Sequence, residues 1–357
     1  MSAPTLRVGV VGAGRISQNC HIKPLQALPG VEVVAVADLR PALCASVGEA
    51  LAIPHRYPSH AALLAHPGLD AVVVVTRPQA TGPVVLDCLD RGVHVLSEKP
   101  MAHALSQARR LSERARAGQV YAVGFMKRCD PGVLRVRRLI QETRADGRWG
   151  ALVSVQAWSE AGDSGDGVSH YAMTAEPRPD GLTLWPLAPD WLDPSRVKDF
   201  AAFCNVHSHM INLLPWLMAA SVDVEAADAT GADRQTARGR IGDAALTLSF
   251  FDGKHGAWRE GFLIRFEGGQ VRLDLPAPFD RAATAQARIQ AAGEAAPSLL
   301  PLEETGWAFE RQSAAFVAAC RGAAPPPMDG RDGPADLDLT ETLWRSAAKP
   351  LGRAQES

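Results

Sequence analysis

At 357 residues the chain is longer than one ordinary core requires and suits two domains. With 37 Lys+Arg against 39 Asp+Glu, a formal charge of -2, no global field draws it to nucleic acid or to an anionic membrane, so the expected partner is a small molecule. The longest apolar run, Ala314 to Cys320, is far below the roughly 20 residues of a membrane helix, and the start MSAPTLRVGVVGAG carries no basic leader ahead of an apolar core; a soluble, cytoplasmic protein is predicted. Cys20, Cys44, Cys88, Cys129, Cys204 and Cys320 form no CxxC pair, which argues against a disulfide framework or a structural zinc.

In chain order, strand-like runs at Leu6 to Val11, Val31 to Ala37, Ala71 to Val75, Val93 to Leu96 and Val120 to Val123 are separated by Ala/Leu/Arg-rich helical stretches. A parallel return needs a crossover, so this alternation predicts βαβ units and a doubly wound sheet. The texture changes after about Gly124. A helix is expected over Val133 to Arg144, then alternation at Leu152, Val153, Val155 and Ala157, then an irregular Gly/Pro/Trp-bearing region from Glu160 to about Asp199. Loops that long are usually lids or binding loops, so part of substrate recognition is expected there. Beyond Asn205 to Ala220, the runs Ala244 to Phe251, Phe262 to Glu267 and Val271 to Leu275, with turn signals at Asp252-Gly253 and Gly268-Gly269, predict an antiparallel sheet. Arg281 to Pro301 reads as a mobile surface excursion, and Trp307 to Arg321 and Leu337 to Ala348 as closing helices. The expected domains are 1–123 and 124–357, with the last helix able to pack back on the first.

The first strand runs into Gly12-Ala13-Gly14-Arg15-Ile16-Ser17, two glycines of a GxGxxG turn with Ser at the third place. Gly12 permits the tight turn, Gly14 lets backbone approach a pyrophosphate, and the next helix aims its N–H groups at the phosphates. Asp38 ends the second strand, where a carboxylate accepts from an adenosine ribose and repels a 2′-phosphate; NAD is favoured, and Arg40 keeps NADP open. Two further clusters bear chemistry. Ser97-Glu98-Lys99-Pro100 puts a lysine at the C-terminal edge of the sheet, where desolvation fits it for proton transfer or for hydrogen bonding a hydroxyl. In the segment from Asn205, the residues Asn205, His209 and Asn212 share one helix face, and Pro215 should kink or interrupt that helix. His207 and His209 point to different faces, so no metal site is expected with Cys204, and His207 reads as structural.

These residues resemble the Gfo/Idh/MocA oxidoreductases: GAGRIS, Thr76-Arg77-Pro78, GVHVLSEKPM at 92–101, GFMKRCDP at 124–131, the His209 helix, RFEGGQVRLDLP at 265–276, and Trp307 to Phe316. The resemblance implies a Rossmann domain followed by an α+β domain with a large, open, mostly antiparallel sheet, and an NAD(P)-dependent dehydrogenase of a sugar, inositol or aminocyclitol. It places Lys99 and His209 as catalytic, with Asn205 where the family usually has Asp. Gly12, Gly14, Arg15, Ile16, Asp38, Arg40, Thr76, Glu98 and Lys99 then hold the cofactor, and Arg128, Asn205, His209 and Trp158 the substrate. An amide cannot stabilise an imidazolium as a carboxylate does, so the proton route differs from the family's. A homodimer or homotetramer is implied. An NAD-retaining glycosidase or lyase and a non-catalytic NAD-binding regulator are the alternative functions.

Overall fold

Runs of Val and Ala without polar alternation need cover on both faces, and the first third of the chain supplies it. In the computed structural model, which describes residues 4–177, 179, 182–231 and 233–347, six parallel strands pair in the order β3-β2-β1-β4-β5-β6. They are β1 (Leu6–Val11), β2 (Val31–Ala37), β3 (His55–Tyr57), β4 (Ala71–Val74), β5 (His94–Ser97) and β6 (Tyr121–Val123). The helical connections are α1 (Lys23–Gln26), entered through a π-helical turn at Ser17–Ile22, then α2 (Pro41–Ala50), α3 (His60–Leu64), α4 (Pro78–Arg91) and α5 (Leu105–Ser112). The order reverses between β1 and β4, and ligands of such sheets bind at the strand ends beside that switch. Strand β3 was not foreseen; three exposed or half-buried residues carry no hydrophobic pattern.

Helix α6 (Pro131–Asp146) starts where Asp130 caps the Gly132 and Val133 N–H groups. Strand β7 (Leu152–Asp163) buries Val155, Ala157, Ser159 and Ala161 on one face, and helix α7 (Val197–Met218) packs against it. With β8 (Val222–Gly231), β9 (Arg234–Ile241), β10 (Ala244–Ala257), β11 (Arg259–Phe266), β12 (Gly269–Leu275), β13 (Gln286–Ala291) and β14 (Ser298–Leu299), it makes an eight-stranded sheet, β14-β13-β12-β11-β7-β10-β9-β8. Every pairing is antiparallel except β7 with β10. Helix α8 (Ala308–Cys320) puts Phe316 and Val317 into the core of the first sheet with Val8 and Leu25, whereas Leu343 and Trp344 of α9 (Gly333–Ala347) join the core of the second.

Two expectations are corrected here. Residues 281–301 are not a free excursion: Ala285 and Ala287 are buried, β13 pairs with β12 and β14, and Arg281 donates to the Gly167 and Asn19 carbonyls. Small Ala residues on the buried side gave the segment no visible hydrophobic signal. Nor does Pro215 interrupt its helix, which begins earlier than expected and runs on to Met218. Pro215 costs one backbone bond near the helix end, where Arg137 and Arg144 of α6 donate to the Trp216 and Met218 carbonyls.

Candidate active site

The turn after β1 requires its first glycine. Gly12 has φ +97°, and a Cβ there would lie 2.0 Å from the Val75 carbonyl oxygen. A Cβ at Gly14 would meet nothing within 4 Å, so the backbone there is open to a close approach. Beside it lies a cavity of about 390 Å³, lined by Gly12, Gly14, Arg15 and Ile16 from the turn, Asp38 and Arg40 from the end of β2, and Thr76 from the end of β4. Asp38 Oδ2 accepts from the Ala13 N–H at 2.9 Å, tying the second strand to the glycine turn. The Arg40 side chain forks onto both Asp38 oxygens at 2.9 Å, and its backbone N–H adds a third bond. Burial works against the Asp38 charge, yet these bonds outweigh it and hold the carboxyl below its usual range.

A strap made by residues 168–177, 179 and 182–186 crosses the same sheet edge. Gln18 exchanges two hydrogen bonds with the Ala172 backbone, at 3.0 and 2.8 Å, and Asn19 donates to the Val168 carbonyl. Glu176 accepts from the Ala42 and Leu43 N–H groups at 3.1 and 3.0 Å. Pro179 and Leu182 close one side of the cavity. Trp185 lies on Gly82 so tightly that a Cβ there would come within 2.2 Å of the ring. This part of the long irregular region, where some of substrate recognition was expected, lies over the end of the parallel sheet that carries the glycine turn.

At the end of β5 the chain turns through Glu98, Lys99 and Pro100, the Lys99-Pro100 bond being cis. Lys99 Nζ donates to the backbone carbonyl of Asn205 at 2.7 Å and to its Oδ1 at 3.3 Å. One turn along α7, His209 is 6% exposed, stands edge-on to Phe125 and leaves a buried Nδ1 without a partner. Burial pulls the imidazole well below its usual range, and the nearby Lys99 and Lys127 ammonium groups add to this; the ring is neutral near pH 7. Lys99 is itself lowered by burial, against the pull of Glu98. Glu98 accepts from the Lys99 N–H at 3.1 Å and meets His21 Nε2 at 2.7 Å, which fixes the acidic member of the turn against the π-helical segment.

Of the expected residues, the structure thus gathers Gly12, Gly14, Arg15, Ile16, Asp38, Arg40 and Thr76 around one cavity, and Lys99, Asn205 and His209 around a second locus. Two are elsewhere. Arg128 is buried beneath the site, its guanidinium donating to the Asn212 side chain and carbonyl at 2.7 and 3.1 Å and to the Pro327 carbonyl at 3.4 Å, and stacked on Trp216, so most of its donors are engaged within the protein. Trp158 sits on the opposite face of β7 from Ser159, which bonds His207 of α7, and its ring lies under Arg272 on the outer side of the sheet. Asn212 donates to Asp336 of α9 and braces the helices.

Three residues escaped the sequence reading. Lys127 is buried in contact with Glu260, which also accepts from Ser159 Oγ and Trp258 Nε1; since the Ser159 proton goes to Glu260, His207 Nδ1–H donates to Ser159. His21 and Glu176 meet their partners 77 and 134 residues away along the chain, with no local motif to announce them.

Residues 6–125 match the family model described as an oxidoreductase family with an NAD-binding Rossmann fold, that of Gfo/Idh/MocA proteins. The inositol 2-dehydrogenase/D-chiro-inositol 3-dehydrogenase of Lacticaseibacillus casei is 36% identical over 43% of this chain and 44% of that protein. The scyllo-inositol 2-dehydrogenase (NAD(+)) of Bacillus subtilis is 31% identical over 38% of this chain and 40% of its own. Each match therefore spans less than half the length of the relative. Across the whole chain the fold is that of aldose-aldose oxidoreductase from Caulobacter crescentus, TM-score 0.75 at 18% identity, covering 96% of this chain and 97% of the other. Residues 6–125, with their glycine turn and 3-2-1-4-5-6 parallel sheet, thus carry the NAD-binding Rossmann fold of the Gfo/Idh/MocA oxidoreductase family, and the large second sheet completes a fold shared with solved oxidoreductases.

Proposed function

We propose that the protein is an NAD-dependent dehydrogenase that oxidises a ring hydroxyl of an inositol, sugar or related polyol. The observation that carries this is the bond from Lys99 Nζ to Asn205, which joins the end of β5 to the His209 helix at the C-terminal edge of the parallel sheet. The open backbone at Gly14 and the cavity beside Asp38 fit a dinucleotide, with phosphates at the turn and the adenosine ribose at the carboxylate. When bound, the cofactor supplies a nicotinamide ring that accepts hydride from the substrate carbon. The neutral His209 takes the hydroxyl proton, and the Lys99 ammonium stabilises negative charge growing on that oxygen. Asn205 accepts from Lys99 and orients it, and its amide N–H groups remain for a neighbouring hydroxyl. Residues 1–123 are assigned to the cofactor and 124–357 to substrate and self-association as a homo-oligomer.

The reading is tested by following NADH formation with inositols, sugars and nucleotide-sugars for the native protein, Lys99→Ala and His209→Ala. Turnover falling by about 10²- to 10⁴-fold in each variant, with NAD⁺ still bound, is expected. Unchanged turnover in both, or product without net NADH, sinks the assignment.

A further inference from the structure

We infer that Glu176, a strap residue, is a cofactor-specificity determinant: its carboxylate occupies the ground a ribose 2′-phosphate would need and excludes NADP. The inference rests on the dinucleotide reading of the glycine-turn cavity and deepens it.

Three observations converge. First, α2 begins beside the cavity at Arg40, whose side chain makes no cap, and Pro41 at the first helical position has no N–H to offer. The first free donors of the helix are therefore Ala42 and Leu43, and Glu176 takes both, with Thr174 Oγ1 donating to the same carboxylate at 3.0 Å. An anion at a helix N-terminus is favoured by the N–H groups and the helix dipole, and here the protein supplies its own. Second, the cation a phosphate would seek is engaged: Arg40 is forked onto Asp38 and also lies within reach of the Glu176 charge. Third, Asp38, Arg40, Pro179 and Leu182 line the cavity, and Glu176 is bonded to Ala42 and Leu43, the residues that follow Arg40 at the start of α2, which sets its carboxylate beside the Asp38 and Arg40 end of the ligand space. A 2′-phosphate arriving there meets two carboxylates about one guanidinium and finds no free helix donor. A 2′-hydroxyl meets only acceptors it can donate to.

The test compares binding of NAD⁺ and NADP⁺, and of AMP and adenosine 2′,5′-bisphosphate, to the native protein, Glu176→Gln and Glu176→Ser by calorimetry. Thermal unfolding of each variant accompanies the titrations. Removing one charge from the rim should raise NADP⁺ and bisphosphate affinity about tenfold or more, while NAD⁺ and AMP move by less than about threefold. The inference is overturned if NAD⁺ binds but NADP⁺ affinity stays put, or if all four ligands shift by one common factor, as a merely structural strap would give. A native protein that binds neither dinucleotide overturns the underlying reading instead.

Discussion

The proposed dinucleotide end and the proposed reaction end lie on the same sheet edge and are built on different electrostatic plans. Around Asp38 each carboxylate is matched: Arg40 neutralises Asp38, Ala13 donates to it, and Glu176 is seated on helix donors. Around His209 the balance is incomplete, although Glu98 pulls on Lys99 and Glu260 is in contact with Lys127. Two ammonium groups press on a buried imidazole, and the side chain facing Lys99 is the amide of Asn205. A saturated site selects a ligand by shape and by repulsion; an unsaturated one holds proton affinities away from their usual values and is ready for charge that appears only in reaction.

The sharpest way to break the comparison at the dinucleotide end is to give each turn glycine a methyl group. Gly12→Ala drives a Cβ to 2.0 Å from a backbone oxygen at a positive φ, and a loss of roughly 3 kcal/mol in urea unfolding is expected. Gly14→Ala meets no protein atom, so its stability should stay within about 0.5 kcal/mol of native while NAD⁺ affinity falls at least about tenfold. If Gly14→Ala binds NAD⁺ as the native protein does, the pyrophosphate does not pass over that turn.

At the reaction end, Asn205→Asp restores a counter-charge beside Lys99. His209 is held low, so it is neutral at pH 7 and the activity that depends on its free base persists into acid; rates fall only as pH drops through the lowered value. An added carboxylate stabilises the protonated imidazole and raises that value, and the acid limb of the kcat/KM profile should move up by about one pH unit. A limb that keeps its position separates His209 from the proton transfer.

How much of this was legible beforehand follows the same division. The glycine turn, Asp38 and the EKP triplet are contiguous or lie at strand ends, where short-range sequence determines geometry, and so the parallel sheet and most of its cavity lining could be read directly. The His209 helix was found from its polar face, but the contact with Lys99 spans 106 residues. The strap could not be placed: Gln18, Glu176 and Trp185 make their contacts through backbone and helix ends, which impose no spacing on the sequence. The surroundings of Arg128 were hidden for a related reason. A motif shows that a cation is needed nearby, and only packing shows that Asn212, Trp216 and the Pro327 carbonyl engage it.

The smallest effect is expected at Trp158, and it sharpens the comparison by marking where the reaction end stops. In a strand successive side chains point to opposite faces, so the neighbours Ala157 and Ser159 face helix α7, which carries both His207 and His209, while the indole faces away. Its contacts are Arg272, 5.0 Å from the ring centroid, and Gly261, whose absent Cβ leaves room for the ring. Trp158→Phe should therefore leave kcat and KM within about twofold of native, with at most a small loss of packing stability. A KM raised tenfold at unchanged unfolding would place this outer face at a substrate site, and since Trp158 faces away from His209 within one chain, a second subunit would have to complete it.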